Sequence, residues 1–340
     1  LLLVCWDFFC VYEYFYFVSY FWIYLTWNAI YNSSISVALN PTTYTYDGTE
    51  KKPGITVKDG TNTLTVGTDY SFVYSNNINA GTGKVTITGK GNYTGTKVLN
   101  FTINKRAITV KASDGTKTYD GAALTNAAVT LTEGTLVSGQ SLSATATGSI
   151  TNVGSTANTV SSAVVKSGTT DVSGNYTITK TNGTLTVNKR TLTVKAEAKS
   201  KTYGAGDPGL TYTYSNQVSG QTPKFSGALS RAEGENVGTY AINKNTLVLV
   251  DNSPFLANNY TLSYVGTNLT ITAKNASTFT ATLNPTSYTY DGTEKKPSVT
   301  VKDGENLLAV GTDYSFVYSD NINAGTGKVT ITGKGNYTGT

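Results

Sequence analysis

The residues that could do chemistry are few in this chain. It has 340 residues, no His, no Met and two Cys, at positions 5 and 10. Without His the usual general base and the commonest metal ligand are missing. Asp47, Asp59 and Asp69 are of the type that binds Ca²⁺, but they form no Asp-x-Asp-x-Asp run. Capping of turns is therefore the expected use of these carboxylates. Gly81-Thr82-Gly83-Lys84-Val85 approaches a phosphate loop and fails it, with Ile78 where Gly belongs and Val85 where Ser or Thr belongs. Gly89-Lys90-Gly91-Asn92-Tyr93-Thr94 fails the dinucleotide fingerprint, because Thr94 stands where the third Gly belongs. Both glycine runs are expected to be hairpin turns. Paired carboxylates for glycoside hydrolysis would need a cleft, and small sandwiches in series offer little of one. No catalytic, cofactor-binding or metal-binding residue is assigned, and no ligand-binding residue is identified; the chain is not expected to be an enzyme.

The recurring feature is Tyr46-Asp47-Gly48. It returns as Tyr119-Asp120-Gly121 and Tyr290-Asp291-Gly292, with the variant Tyr203-Gly204-Ala205-Gly206-Asp207-Pro208 between. A mark repeated at intervals of roughly 80 residues signals tandem units. As a turn, Asp would accept backbone hydrogen bonds, Gly would take a positive φ, and Tyr would pack on the sandwich.

The elements that carry these turns read as strands. Thr, Asn, Ser, Gly and Val crowd the sequence, and no sustained helical period appears after residue 32. In residues 36–104, Ile55/Val57, Tyr70/Phe72/Tyr74, Val85/Ile87 and Leu99/Phe101/Ile103 alternate with period two. Asp59-Gly60 signals a hairpin, and Asn76-Asn77 and Gly81–Gly83 read as loop. Residues 105–188 and 189–273 open alike, Lys105-Arg106-Ala107-Ile108-Thr109-Val110 and Lys189-Arg190-Thr191-Leu192-Thr193-Val194. Each carries an Asn-Val-Gly turn (Asn152–Gly154, Asn236–Gly238) and closes on Asn-Tyr-Thr (Asn175–Thr177, Asn259–Thr261). Asn-Tyr-Thr at 92, 175 and 259 also matches the glycosylation acceptor, although a closing turn is the preferred reading. Residues 274–340 copy the first repeat: Leu39–Thr96 and Leu283–Thr340 differ at seven positions, 43/287, 54/298, 55/299, 61/305, 63/307, 65/309 and 76/320. No counterpart of Leu99, Phe101 and Ile103 follows, so an exposed strand edge and the lowest stability are expected there. The chain, lacking Met as well, reads as a fragment.

All-β tandem Ig-like sandwiches are thus expected, joined without flexible linkers into an extended rod. The excess of 26 Lys and Arg over 21 Asp and Glu is small and scattered, which argues against nucleic acid. Residues 1–35 differ in kind. Tyr14 to Tyr31 carries no charge and approaches the length of a membrane span, but Trp and Tyr fill it. Three readings stay open: a membrane or export segment, sequence foreign to the native protein, or a packed helix of the fold.

Residues 105–188 and 189–273 resemble the YDG-type and YGX-type MBG repeats of bacterial surface adhesins. The resemblance rests on Lys117-Thr118-Tyr119-Asp120-Gly121 and Asn175-Tyr176 in one, and on Tyr203-Gly204-Ala205-Gly206-Asp207-Pro208, Gly238-Thr239-Tyr240 and Asn259-Tyr260 in the other. Residues 36–104 and 274–340 resemble Ig-like repeats often found beside them. The resemblance implies an extracellular, cell-surface protein with no cofactor. A stalk projecting a distal domain is the expected role, and binding of glycan or mucin by the repeats is the alternative. Anchoring to membrane or cell wall would lie at the N-terminal segment or outside this sequence.

Overall fold

The computed structural model describes residues 28–30 and 34–340. The expectations for the N-terminal segment fall mainly on residues outside these. The chain is all-β: among the described residues the helical elements are three single 3₁₀ turns, at Ser173–Asn175, Ala257–Asn259 and Ala276–Thr278. It forms two compact units. One holds residues up to 112 with 128–146 and 159–182; the other holds 113–127, 147–158 and 183–340. The second sequence repeat contributes to both.

In the first unit, Thr43–Thr45, Thr96–Asn104, Gly81–Gly89 and Tyr70–Ser75 form a four-stranded sheet in that order. Ile35–Asn40, Gly54–Asp59 and Asn62–Thr63 form a three-stranded one. The alternating residues meet in the core: Leu39, Val57, Tyr70, Val85, Ile87, Phe101 and Ile103 are all buried. Each such side chain contributes about 1.5–3 kcal/mol by leaving water. The expected loop at Gly81–Gly83 is instead the start of a strand. A β-carbon at Gly83 would lie 2.3 Å from the Phe101 ring, so glycine here admits an aromatic side chain from the neighbouring strand. The Gly89–Gly95 segment is a turn, as expected, closed by Tyr93 N–H to Lys90 O at 2.9 Å.

Parallel pairing was not legible in the alternation. Arg106–Ala112 pairs antiparallel with Val129–Glu133 on one side and parallel with Tyr176–Thr181 on the other. In the second unit Arg190–Ala196 does the same with Tyr212–Ser215 and Tyr260–Val265. The chain then crosses to a second sheet, where Lys199–Thr202 runs parallel to Thr267–Thr272. Each opening segment is thus shared by two sheets, as an Ig-like sandwich requires. Leu192, Val194, Ala196, Ile242, Leu269 and Ile271 fill this core.

Within residues 274–340, Thr280–Asn284 pairs with Ser298–Asp303, and Tyr314–Ser319 with Lys328–Gly333. Gly81–Gly89 has Tyr70–Ser75 and Thr96–Asn104 as neighbours, whereas Lys328–Gly333 has Tyr314–Ser319 alone in its sheet. Val85 and Ile87 are fully buried, while their counterparts Val329 and Ile331 are half-buried.

Candidate functional site

The repeated motifs converge on one kind of site, found where one sequence repeat meets the next. The Tyr-Asp-Gly turn forms as its chemistry dictates. Gly48, Gly121, Gly204 and Gly292 all have φ between 76° and 82°. Asp47, Asp120 and Asp291 each accept the amide of the residue two further on at 2.9 Å. A lysine neutralises each of these aspartates: Lys51, Lys117 and Lys295. The Lys51 ammonium, and then Thr49, hold the Asp47 carboxyl down to about 2.

The tyrosine of the first turn belongs to a core cluster that takes in residues of its own repeat and of the next. Tyr46, 3% exposed, meets Tyr176 of the next repeat edge to face, with ring centroids 5.6 Å apart. Gln140 joins the two phenols: its Nε2 donates to Tyr46 Oη at 2.8 Å, and Tyr176 Oη donates to its Oε1 at 2.6 Å. Tyr176 Oη also accepts the Val137 amide at 3.0 Å. Beside this relay lies a second clasp. Asn175 Oδ1 accepts the Ala80 amide at 2.8 Å, and Asn175 Nδ2 donates to Asn79 Oδ1 at 3.1 Å.

The next joint repeats the arrangement with different residues. Tyr119 and Tyr260 lie 5.6 Å apart, edge to face. Gln221 Nε2 donates to Tyr119 Oη at 2.8 Å, and Tyr260 Oη donates to Gln221 Oε1 at 2.7 Å. Asn259, 1% exposed, accepts the Val153 amide at 2.9 Å and donates to Asn152 Oδ1 at 3.0 Å. The third joint is a variant. Tyr203 meets Tyr337 at 5.4 Å, and Asn336 accepts the Val237 amide at 2.8 Å and donates to Asn236 Oδ1 at 2.9 Å. Residues 274–340 contain no Gln, so the carboxamide relay is absent here. Burial first, then Asp303 nearby, pushes the Tyr337 phenol up to about 12.

These joints place the motifs read from the sequence. Asn-Val-Gly and Asn-Tyr-Thr are two halves of one clasp. At Asn259 the carboxamide is enclosed and uses both its donor and its acceptor, so a glycan there would break the joint. The glutamines were missed in the sequence, although Val137-Ser138-Gly139-Gln140 and Val218-Ser219-Gly220-Gln221 repeat verbatim. Asp59 and Asp69 do not join Asp47: Asp69 caps its own turn through the Thr65 amide at 2.8 Å, and Asp59 faces Tyr93 Oη at 3.4 Å. Among the described residues no cluster of three or more Cys, Asp or Glu is placed to hold a metal ion. At the first two joints the contacts given above are made by rings, carboxamides and backbone amides, and at the third Asp303 lies beside Tyr337 Oη at 3.4 Å.

Residues 192–270 match the MBG domain (YGX type) family. No curated protein sequence matches the chain. Among solved structures the chain is similar to the protocadherin GammaB4 extracellular domain, at 12% identity and a TM-score of 0.21, over 83% of this chain and 56% of that one. It is also similar to the N-terminal eight Ig domains of Down syndrome cell adhesion molecule isoform 1.30.30, at 10% identity and a TM-score of 0.18, over 87% and 52%. The chain spans little more than half the length of these structures. The MBG match lies within the third sequence repeat and fits a surface-repeat protein.

Proposed function

We propose that this chain is a non-catalytic repeat region of a bacterial surface adhesin, extracellular, acting as a stalk that projects a distal domain. The single observation that carries the reading is the recurrence of the Tyr–Tyr contact with its Asn clasp at three successive joints. A closing strand passes straight into the next opening strand at Asn104–Arg106 and Asn188–Arg190. A joint with two hydrogen-bonded clasps and no slack restricts rotation between neighbours. Four repeats on this reading are residues 36–104, 105–188, 189–273 and 274–340. With strands of about nine residues each repeat would extend roughly 30 Å, or about 120 Å for four. Small-angle scattering tests it. A rod of that length has a radius of gyration near 35 Å, against roughly 20 Å for a globule of this chain length. The smaller value would reject the stalk.

The alternative, that the repeats themselves bind glycan or mucin, has a narrower basis than the tyrosine count suggests. Among the described residues only Tyr214, Tyr288 and Tyr290 are exposed. Stacking on sugar would fall to these rings. Binding to a glycan array that is lost in Tyr214→Ala would favour it, and a blank array would count against it.

A further inference from the structure

The opening and closing segments of the third repeat run side by side, in the same direction and in one register. Arg190 to Lys195 pair with Tyr260 to Val265, and Lys199 to Thr202 pair with Leu269 to Thr272. In both ladders each residue faces the one 70 positions on, although the chain changes sheet between them. The Tyr203 N–H extends the second ladder, donating to Thr272 O at 2.8 Å. All of these residues lie within one compact unit. The second repeat keeps the same offset: Arg106 to Lys111 face Tyr176 to Thr181, and Gly115 to Thr118 face Leu185 to Asn188.

Parallel pairing of these two segments decides how the repeat takes a load. The chain enters at the start of one strand and leaves at the end of its partner, so entry and exit lie at opposite ends of the ladders. Tension entering at Arg190 and leaving at Thr272 slides the strands past each other. The evenly spaced bonds of a parallel pair then carry it together. Strands drawn apart from one end open bond by bond instead. The two elements loaded first are also not edge strands. Arg190–Ala196 lies between Tyr212–Ser215 and Tyr260–Val265, and Thr267–Thr272 lies between Lys199–Thr202 and Gly238–Asn243. Each is held by a ladder on both sides. Leu192, Val194 and Leu269 on these strands are fully buried. Water therefore replaces the backbone bonds only after the strands have moved.

We propose that the paired ladders are a shear clamp, a load-bearing device through which the third repeat resists tension along the chain. The second repeat, with the same pairing, has the same property. That the chain carries tension rests on the stalk reading, whereas the clamp rests on the pairing alone.

The test pulls single molecules of the full chain through pairs of cysteine handles, in a background of Cys5→Ser and Cys10→Ser. Lys189→Cys with Ala273→Cys loads both ladders in shear. Ala205→Cys with Ala273→Cys peels the second ladder from its far end, and Lys189→Cys with Asn258→Cys peels the first from its near end. Lys189, Ala205 and Asn258 are exposed and Ala273 is half-buried, so the thiols stay outside the core. Circular dichroism checks that each variant folds, and either peeling pair suffices for the comparison. At one loading rate the shear pair is expected to yield at a force about twofold or more above the peeling pairs. It is expected to do so in a single step of about 270–300 Å, as the chain from Arg190 to Thr272 straightens. Equal forces in shear and peeling, or a shear pair that gives way in several small steps, would overturn the proposal. A compact particle in scattering with a strong shear pair would reject the stalk and keep the clamp. An extended particle with a weak shear pair would do the reverse.

Discussion

Replacing Asn259 by Ala removes the clasp at the second joint and nothing else of size. The side chain is 1% exposed, accepts the Val153 amide at 2.9 Å and donates to Asn152 Oδ1 at 3.0 Å. Two hydrogen bonds are lost, each worth about 1 kcal/mol net, and the Val153 N–H stays enclosed without a partner, at about 1–3 kcal/mol. The expected loss is about 3–5 kcal/mol, or roughly 150- to 5000-fold in the population of the opened joint. Asn175→Ala removes the equivalent bonds at the first joint and should cost a similar amount. Urea titration followed by circular dichroism gives the size of the loss. Amide exchange gives its place: Asn259→Ala should speed exchange at Val153 and leave Ala80 unchanged, with the reverse for Asn175→Ala. A loss below about 0.5 kcal/mol in both variants would mean the clasp is ornamental, and the reasoning would fail.

Four further outcomes follow from the same geometry. Tyr119→Phe keeps the ring contact with Tyr260 and removes only the bond from Gln221, so a loss of about 1 kcal/mol is expected by urea titration. Gly48→Ala puts a β-carbon at φ +79° and 2.8 Å from Val137, whereas Gly292→Ala meets only the backbone penalty at φ +76°. The first should cost about 2–3 kcal/mol and the second about 1 kcal/mol, and equal losses would contradict the covered joint. Amide exchange across Lys328–Gly333 should run faster than across Gly81–Gly89, because the first strand pairs in its sheet with Tyr314–Ser319 and the second is held between two neighbours. Acid should weaken the third repeat: Arg231, then Lys201, hold the Asp207 carboxyl down to about 2 against an ordinary 3.8. A carboxyl lowered in the folded state stabilises above its unfolded value and loses that contribution as pH falls from about 4 to about 2. Melting temperature across that window should fall less in Asp207→Asn than in the parent chain.

The class of fold was legible because period-two alternation is a local property. Tyr70/Phe72/Tyr74, Val85/Ile87 and Leu99/Phe101/Ile103 all lie on the strands they were expected to form. The strand start at Gly81–Gly83 was not legible, since two glycines and a threonine look like a turn until the Phe101 ring is placed over them. Alternation does not distinguish parallel from antiparallel neighbours, so the pairing of Arg106–Ala112 with Tyr176–Thr181 had no local signal. The joint was half-legible. Tyr-Asp-Gly, Asn-Val-Gly and Asn-Tyr-Thr all stood out as punctuation; the first two do turn the chain, whereas Asn-Tyr-Thr opens a strand with its Tyr and Thr, at Tyr176–Thr181 and Tyr260–Val265. That they meet across repeats is a long-range fact: Tyr119 and Tyr260 are far apart in sequence. Gln140 and Gln221 carried a signal, the repeated Val-Ser-Gly-Gln, but a half-buried Gln in a turn suggests nothing until two phenols are seen on either side of it.

The central claim is that these clasps stiffen the chain, and scattering on a matched pair tests it most directly. The parent and the double variant Asn175→Ala/Asn259→Ala would be measured where circular dichroism shows both to be fully folded. The account predicts a parent with a radius of gyration near 35 Å and a sharp maximum dimension of about 120 Å, and a variant with a smaller radius and a broadened distance distribution. Identical profiles, or a parent already near 20 Å, would contradict it.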